Sequence, residues 1–276
     1  MLSPQERKEI FAKANAIITG DHFVYAQKPD GWYHGSEYVN KDAIYPYEEY
    51  VSALCAGIAE HFANAGIETV VGPTVGGVAL VQWTTHWLKR LPHVGYQKIM
   101  AVCADEEDVL GQKELRDDEL RKMGHVINLQ AVGSVQIELW EHDLKFRRVS
   151  FSTKVGTRRI IKRGYDKHVK GKRCLIVEDI VNSGATVAKT RDAILAAGGE
   201  VIGVGCLCNR SGGKVTAATL CVLELFSLLD VDMKMFKEDE LGYCHICRQI
   251  GRGSVRLDLG KGKEFLSRLG LKPGDK

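Results

Sequence analysis

Apolar residues along this chain change period several times, and each change predicts an element. Ser3-Pro4-Gln5-Glu6 is a capping box with Pro at the first helical position. Behind it Ile10, Phe11, Ala14, Ile17 and Ile18 fall on one helical face, predicting a helix that runs to Gly20. Residues 21–28 and 37–46 predict two short strands around a polar Pro/Gly turn. Val51, Leu54, Cys55, Ile58 and Phe62 predict an amphipathic helix over 47–65, closed by Gly66. Ile67 to Val71 predicts a buried strand that enters Gly72-Pro73-Thr74-Val75-Gly76-Gly77, and an apolar helix follows from Val78 to Leu88.

Further strands are predicted at 98–103 and 146–151, with a hairpin at 125–131 and 135–140 around Gly133-Ser134. The segment 105–122 reads as a solvated helix or loop. Cys174 to Val177 predicts a four-residue buried strand, and a helix starts at about Val187 and ends at Gly198-Gly199. Val201 to Cys208 is an apolar strand; 220–231 is a last strand or short helix; 263–269 is a short helix. Strands alternating with helices predict an α/β fold, a mainly parallel sheet with helices on both faces.

Charge changes the picture more than composition does. The 276 residues are 45% hydrophobic and 26% charged, with net charge +3, as in an ordinary globular chain. Twelve Lys or Arg lie between Lys145 and Arg173 against the single acid Asp166, and eight acids lie between Asp105 and Glu119. The basic run suits either a nucleic-acid patch or a loop closing over a small polyanion. The charged first helix, the lack of a long apolar run and scattered cysteines are expected of a cytoplasmic protein without structural disulfides or membrane partners. Cys244-His245-Ile246-Cys247 is half of a zinc site, without a second CxxC, so Cys244 and Cys247 are candidate ligands of a structural metal.

The candidate chemistry lies where strands enter helices. After Cys174–Val177 come two carboxylates, Glu178 and Asp179, and then a small-residue loop, Asn182-Ser183-Gly184-Ala185-Thr186. Such a loop at a helix N-terminus suits a phosphate, whereas carboxylates would repel one and suit sugar hydroxyls or a metal held by the sugar. The Gly72–Gly77 loop repeats the strand–loop–helix arrangement. Two such units suit a ligand with phosphates at both ends and a ribose between.

This run resembles the phosphoribosyl pyrophosphate signature of the type I phosphoribosyltransferases, most closely the orotate phosphoribosyltransferases; Glu178 and Asn-Ser-Gly-Ala-Thr are mild departures from the usual acids and Thr-rich loop. The resemblance covers roughly 20–102 and 146–225. It implies one phosphoribosyltransferase domain over 1–225, with an N-terminal hood over about 1–46, an insertion over about 104–147, and a C-terminal extension over 226–276. It further implies that Glu178 and Asp179 hold the ribose, that Asn182 to Thr186 wrap the 5′-phosphate, and that Pro73, Thr74, Gly76 and Gly77 bind pyrophosphate. Lys28, Tyr38, Val39 and Asn40 would line the base pocket, and Arg210 would pair with the orotate carboxylate. Lys154, Arg163, Lys167 and His168 would be the candidate catalytic cations of a mobile loop, although the family's Lys-to-His spacing is not matched. Mg²⁺ and a homodimer are implied as well, and nucleic acid is given no role. Two other readings remain: transfer to another base, and a non-catalytic regulator that binds phosphoribosyl pyrophosphate and uses the basic run for nucleic acid.

Overall fold

A computed structural model describes residues 2–25, 31–91, 98–116, 135–139 and 146–275. Its centre is a sheet of order β5-β6-β4-β3-β7-β8-β9. The strands are β3 (Thr69–Pro73), β4 (Met100–Arg116), β5 (Val135–Leu139), β6 (Phe146–Ile160), β7 (Arg173–Val181), β8 (Glu200–Asn209) and β9 (Leu225–Asp230). The run β4-β3-β7-β8-β9 is parallel, while β6 pairs antiparallel with β4 and with β5. Strands covered on both faces need apolar residues at every position, which is why β7 and β8 read as continuous apolar runs.

Alternation along β7 divides the core. Leu175 and Val177 join Leu54, Ile58, Leu80 and Leu88 of α2 (Glu48–His61) and α3 (Gly77–Leu88), and Phe62 at the C-cap of α2. Cys174 and Ile176 face the other way, onto Val187 and Ile194 of α4 (Ala185–Ala196). Each fully buried Ile or Phe in these layers contributes about 1.5–3 kcal/mol through the area it removes from water. Among the described residues, no helix is long and apolar enough to cross a membrane.

A second sheet forms the hood: β1 (Ile17–Val24), β2 (Tyr33–Val39) and the two-residue β10 (Phe236–Lys237), all antiparallel. The short α5 (Ala217–Leu220) precedes β9. After β10, α6 (His245–Ile250) and α7 (Gly262–Leu269) pack on the hood through Val24, Ile246, Val255, Phe265 and Leu266. The amides of Arg256 and Lys261 donate to the carbonyls of His22 and Val24, at 2.7 Å each.

Several expected elements are corrected. Helix α1 (Pro4–Lys13) has the capping box but stops short of Gly20, because Asn15 turns left-handed at φ 51° and Ile17-Ile18 enter β1 opposite Val39 and Tyr38. The hood strands are 17–24 and 33–39 rather than 21–28 and 37–46, and Lys41–Ala43 is a 3₁₀ turn. The acidic stretch from Asp105 is not helix or loop but a continuation of β4. The basic stretch up to Ile160 is its partner, with Glu106 opposite Arg159 and Glu107 opposite Arg158. The two charge runs are the two sides of one ribbon, held by ion pairs Lys154–Asp108, Arg158–Glu107, Arg159–Glu106, Lys162–Glu107 and Arg163–Asp105. Strand β7 also runs past its expected end at Val177, through the acid pair to Val181, because β8 pairs with it out to Asn209. The expected strand at 125–131 lies outside the described residues.

Candidate active site

Glu178 and Asp179 lie near the carboxyl end of β7 and are only 5% and 6% exposed. Burial, and secondarily the neighbouring Asp179 charge, pushes the Glu178 carboxyl up to about 8. Its Oε1 accepts from the Asp179 amide at 3.1 Å, while its Oε2 is buried without a hydrogen-bond partner. Asp179 is better satisfied. Its Oδ1 accepts from the Ile180 amide at 2.6 Å, and its Oδ2 takes Lys41 Nζ at 2.7 Å. The Tyr45 hydroxyl lies 3.2 Å from the same Oδ2 and 2.7 Å from the Gly76 carbonyl. Burial and the Asp179 charge hold the Tyr45 phenol above its ordinary value. Burial would lower Lys41, but the hydrogen bond and charge of Asp179 outweigh it and hold the ammonium above its usual range.

Both loops reach this acid pair. The loop after β3, with a cis Thr74–Val75 peptide, delivers Gly76 so close to Asp179 that a Cβ there would sit 2.2 Å from Oδ2. Arg159 of the ribbon fixes this loop: its Nη1 donates to the Thr74 carbonyl at 2.8 Å, and its Nη2 pairs with Glu106 at 3.1 Å. On the other side, Asn182 and Ser183 are exposed, and Gly184 takes φ 76° immediately before α4. That left-handed turn lets the chain leave β7 and enter the helix within a few residues, with Ala185 and Thr186 in its first turn.

A cavity of about 200 Å³ lies beside Asp179. Its walls are Tyr38, Val39, Asn40, Lys41 and Asp42 from the hood, Asp179, Ile180 and Asn182 from β7 and its loop, and Arg210. Arg210 follows β8 and is held by its amide, which donates to the Val181 carbonyl at 2.9 Å. Asn209, where the resembled family has an acid, is buried and builds the turn: Oδ1 accepts from the Ser211 amide at 3.1 Å, and Nδ2 donates to the Val215 carbonyl at 3.3 Å.

The structure thus gathers Glu178, Asp179, the two loops, Tyr38, Val39, Asn40 and Arg210 at one end of the sheet. It does not gather the four candidate loop cations there. Lys154 pairs with Asp108 at 2.6 Å, and Arg163 with Asp105 at 3.2 Å, both along the ribbon. Lys167 and His168 sit in a 3₁₀ turn whose His168 carbonyl accepts from Thr69 Oγ1 at 2.5 Å. Thr69 begins β3, so this turn lies at the opposite, amino end of the parallel strands. Lys28 lies outside the described residues. Lys41, Tyr45 and Arg159 were missed by sequence reading. Lys41 stands directly after the Tyr38-Val39-Asn40 run, and that adjacency was the one available signal.

This chain is similar in sequence to several known proteins. A sequence profile described as the phosphoribosyl transferase domain matches residues 147–236. The orotate phosphoribosyltransferase of Desulforamulus reducens is 25% identical over 248 residues, covering 90% of this chain and 93% of that protein. The orotate phosphoribosyltransferase of Bartonella tribocorum is 26% identical over 243 residues, covering 87% and 91%. Among solved structures, orotate phosphoribosyltransferase of Mycobacterium tuberculosis in complex with inorganic phosphate overlaps with a TM-score of 0.47 at 15% identity, covering 83% of this chain and 97% of that one.

Proposed function

We infer that this chain, a type I phosphoribosyltransferase most like the orotate phosphoribosyltransferases, moves a phosphoribosyl group from phosphoribosyl pyrophosphate to orotate. The bond from ribose C1 to pyrophosphate breaks, a bond from C1 to the base nitrogen forms as that nitrogen loses its proton, and orotidine 5′-monophosphate, pyrophosphate and the proton leave. One observation carries this reading. The cavity beside Asp179 has Arg210 on its wall, with the hood residues Tyr38 to Asp42 and with Asn182 of the loop after β7. A guanidinium is the side chain best matched to a carboxylate-bearing base.

In this reading Asn182 to Thr186 hold the 5′-phosphate at the start of α4, and the loop from Pro73 to Gly77 holds the pyrophosphate. Glu178 and Asp179 hold the ribose hydroxyls between them. Tyr38, Val39 and Asn40 hold the base against Arg210. The resemblance implies Mg²⁺ held mainly by the substrate, and the residues fit a hard cation: Glu178 Oε2 is a buried carboxyl oxygen without a hydrogen-bond partner, beside the Asp179 carboxylate. When bound with the pyrophosphate, Mg²⁺ would offset the charge that builds on the leaving group. The protein's own part is to fix ribose and base in line and to exclude water.

The regulator reading has less support, because Lys154, Arg158, Arg159, Lys162 and Arg163 each face an acid of β4 rather than forming a free basic patch. The homodimer and the cytoplasmic location belong to the same proposal. The test is a panel of orotate, uracil and adenine with phosphoribosyl pyrophosphate and Mg²⁺, read as pyrophosphate release. Release with orotate alone supports the reading; preference for another base overturns the substrate, and no release with any base overturns the activity.

A further inference from the structure

Four side chains from distant parts of the sequence meet beneath the hood: His22 of β1, His34 of β2, and Cys244 and Cys247 at the start of α6. All four are at most 2% exposed. Their donor atoms lie within 4.8 Å of one another. The two sulfurs are 3.5 Å apart, and the two facing nitrogens, His22 Nε2 and His34 Nδ1, are 3.0 Å apart. Three sulfur–nitrogen distances are 3.6 Å (Cys244 to His22), 3.7 Å (Cys247 to His22) and 3.6 Å (Cys247 to His34). Zinc bonds of about 2.3 Å to sulfur and about 2.0–2.1 Å to nitrogen would place tetrahedral ligand atoms roughly 3.8 Å (S–S), 3.6 Å (S–N) and 3.3 Å (N–N) apart. The observed distances match that figure to within a few tenths of an ångström.

The groups behind the rings, a hydrogen bond at His22 and a carboxylate near His34, point the same way. Ser254 Oγ donates its one proton to the Gly251 carbonyl at 2.6 Å, so at 3.0 Å it can only accept from His22 Nδ1. His22 therefore carries its proton on Nδ1 and presents a bare lone pair at Nε2. His34 Nε2 faces the Glu238 carboxylate at 3.6 Å, and Glu238 is held by Arg268 at 2.6 and 2.7 Å. A carboxylate there asks for a proton on Nε2, which leaves a bare lone pair at Nδ1. Two imidazole lone pairs and two sulfurs thus converge on one buried point. The Cys247 amide also donates to Cys244 Sγ at 3.3 Å, as suits a thiolate. Histidine ligands oriented by a hydroxyl on one side and a carboxylate on the other are the usual outer shell of a metal site.

We propose that His22, His34, Cys244 and Cys247 bind one zinc ion in a closed tetrahedral site that clamps the C-terminal extension to the hood. Binding releases the two thiol protons to solvent, and Zn²⁺ with two thiolates leaves the buried centre neutral. Two nitrogens and two sulfurs select a borderline-soft dication rather than Mg²⁺. With four protein ligands no position remains for substrate, so the role is structural. The clamp holds β2, the strand that ends in the cavity residues Tyr38 and Val39. The proposal stands whichever base the enzyme uses.

The test uses the untagged full chain, purified under reducing conditions without chelator. Elemental analysis should find about one zinc per chain. A mercurial thiol reagent should release it, as read with a chromogenic chelator. Cobalt(II) exchanged into the site should give the strong visible bands of tetrahedral cobalt with thiolate charge transfer. Cys247→Ser should lose the metal; if that variant fails to fold, the wild-type metal content and cobalt spectrum decide alone. A folded, reduced wild-type chain that holds no zinc and gives no tetrahedral cobalt spectrum would overturn the proposal. So would a Cys244–Cys247 disulfide in anaerobically prepared protein, or a Cys244→Ser/Cys247→Ser double variant that keeps its zinc.

Discussion

Lys41 and Asp179, 138 positions apart in the chain, form an ion pair of 2.7 Å at the mouth of the proposed ribose site. The lysine comes from the turn after the hood's second strand, and the aspartate from the signature strand. Hood and sheet are therefore joined at the atoms that the substrate would need.

If this lysine balances the acid pair, removing it leaves two adjacent buried carboxylates with one cation fewer. Lys41→Met should lower kcat/KM by at least tenfold, about 1.4 kcal/mol. Tyr45→Phe, which removes a longer 3.2 Å contact with the same oxygen, should cost less. Steady-state kinetics on both folded variants check this; equal effects would deny Lys41 a special place.

Glu178 sets a pH dependence of stability. Burial pushes its folded carboxyl up to about 8, against an ordinary value of 4.5. Between these values the folded state holds a proton that the unfolded state has lost, so stability is greatest below about 4.5 and falls as pH rises toward 8. Glu178→Gln removes the titration. The variant should gain thermal stability over the wild type as pH rises from 5 to 9, on the order of a few kcal/mol at the alkaline end. Thermal melts across that range would show the two curves diverging; parallel curves would mean that Glu178 ionises normally.

Gly76 tests the approach of the first loop to the acids. Its backbone is ordinary, at φ −59°, so an added methyl costs no torsional strain. The cost is the 2.2 Å contact with Asp179 Oδ2. Gly76→Ala should displace the loop or the carboxylate and raise KM for phosphoribosyl pyrophosphate at least tenfold, with a modest loss of melting temperature. An unchanged KM would place the diphosphate elsewhere.

Arg210 separates substrate from fold. Arg210→Ala should raise KM for orotate tenfold to a thousandfold, on the order of 1.4–4 kcal/mol, because the orotate carboxylate would then be desolvated without a charge partner. Phosphoribosyl pyrophosphate binding, read by calorimetry, should change little. Equal loss of both ligands would make Arg210 a structural residue of the Asn209 turn.

What could be read along the chain was what the chain holds together locally. The acid pair and the Asn182–Thr186 loop are contiguous, and their order alone suggested a ribose flanked by phosphate. Ile17 and Ile18 fit a helical face as well as a strand, and only pairing with Val39 and Tyr38 decides between them. The acidic run read as a solvated helix or loop and the basic run as a nucleic-acid patch or closing loop, because the register that sets Glu107 opposite Arg158 is not local. Lys41 and Arg159 escaped for the same reason. Cys244 and Cys247 read as half a metal site, and the other half, His22 and His34, lies more than two hundred residues away in the hood.

That register also yields a contrast between two neighbouring arginines. Arg158 and Arg159 point to opposite faces of β6, as adjacent strand residues must. Arg158 pairs with Glu107 at the surface, its side chain 63% exposed, and such pairs contribute little. Arg159 is 9% exposed and binds the carbonyls of Thr74 and Ala104 beneath the proposed pyrophosphate loop, at 2.8 and 3.4 Å. Replacing it removes the donor to the Thr74 carbonyl and the ribbon's side-chain hold on the loop, although the Ala104 carbonyl keeps the Thr74 amide at 3.1 Å. Arg159→Met, which keeps much of the aliphatic packing, should raise KM for phosphoribosyl pyrophosphate at least tenfold and KM for orotate by much less. Arg158→Met should leave both within about twofold, or roughly 0.4 kcal/mol. Steady-state kinetics with each substrate varied in turn would decide it. If the two substitutions weaken phosphoribosyl pyrophosphate equally, the ribbon acts through its overall charge, and the buried bond to Thr74 does not set the loop.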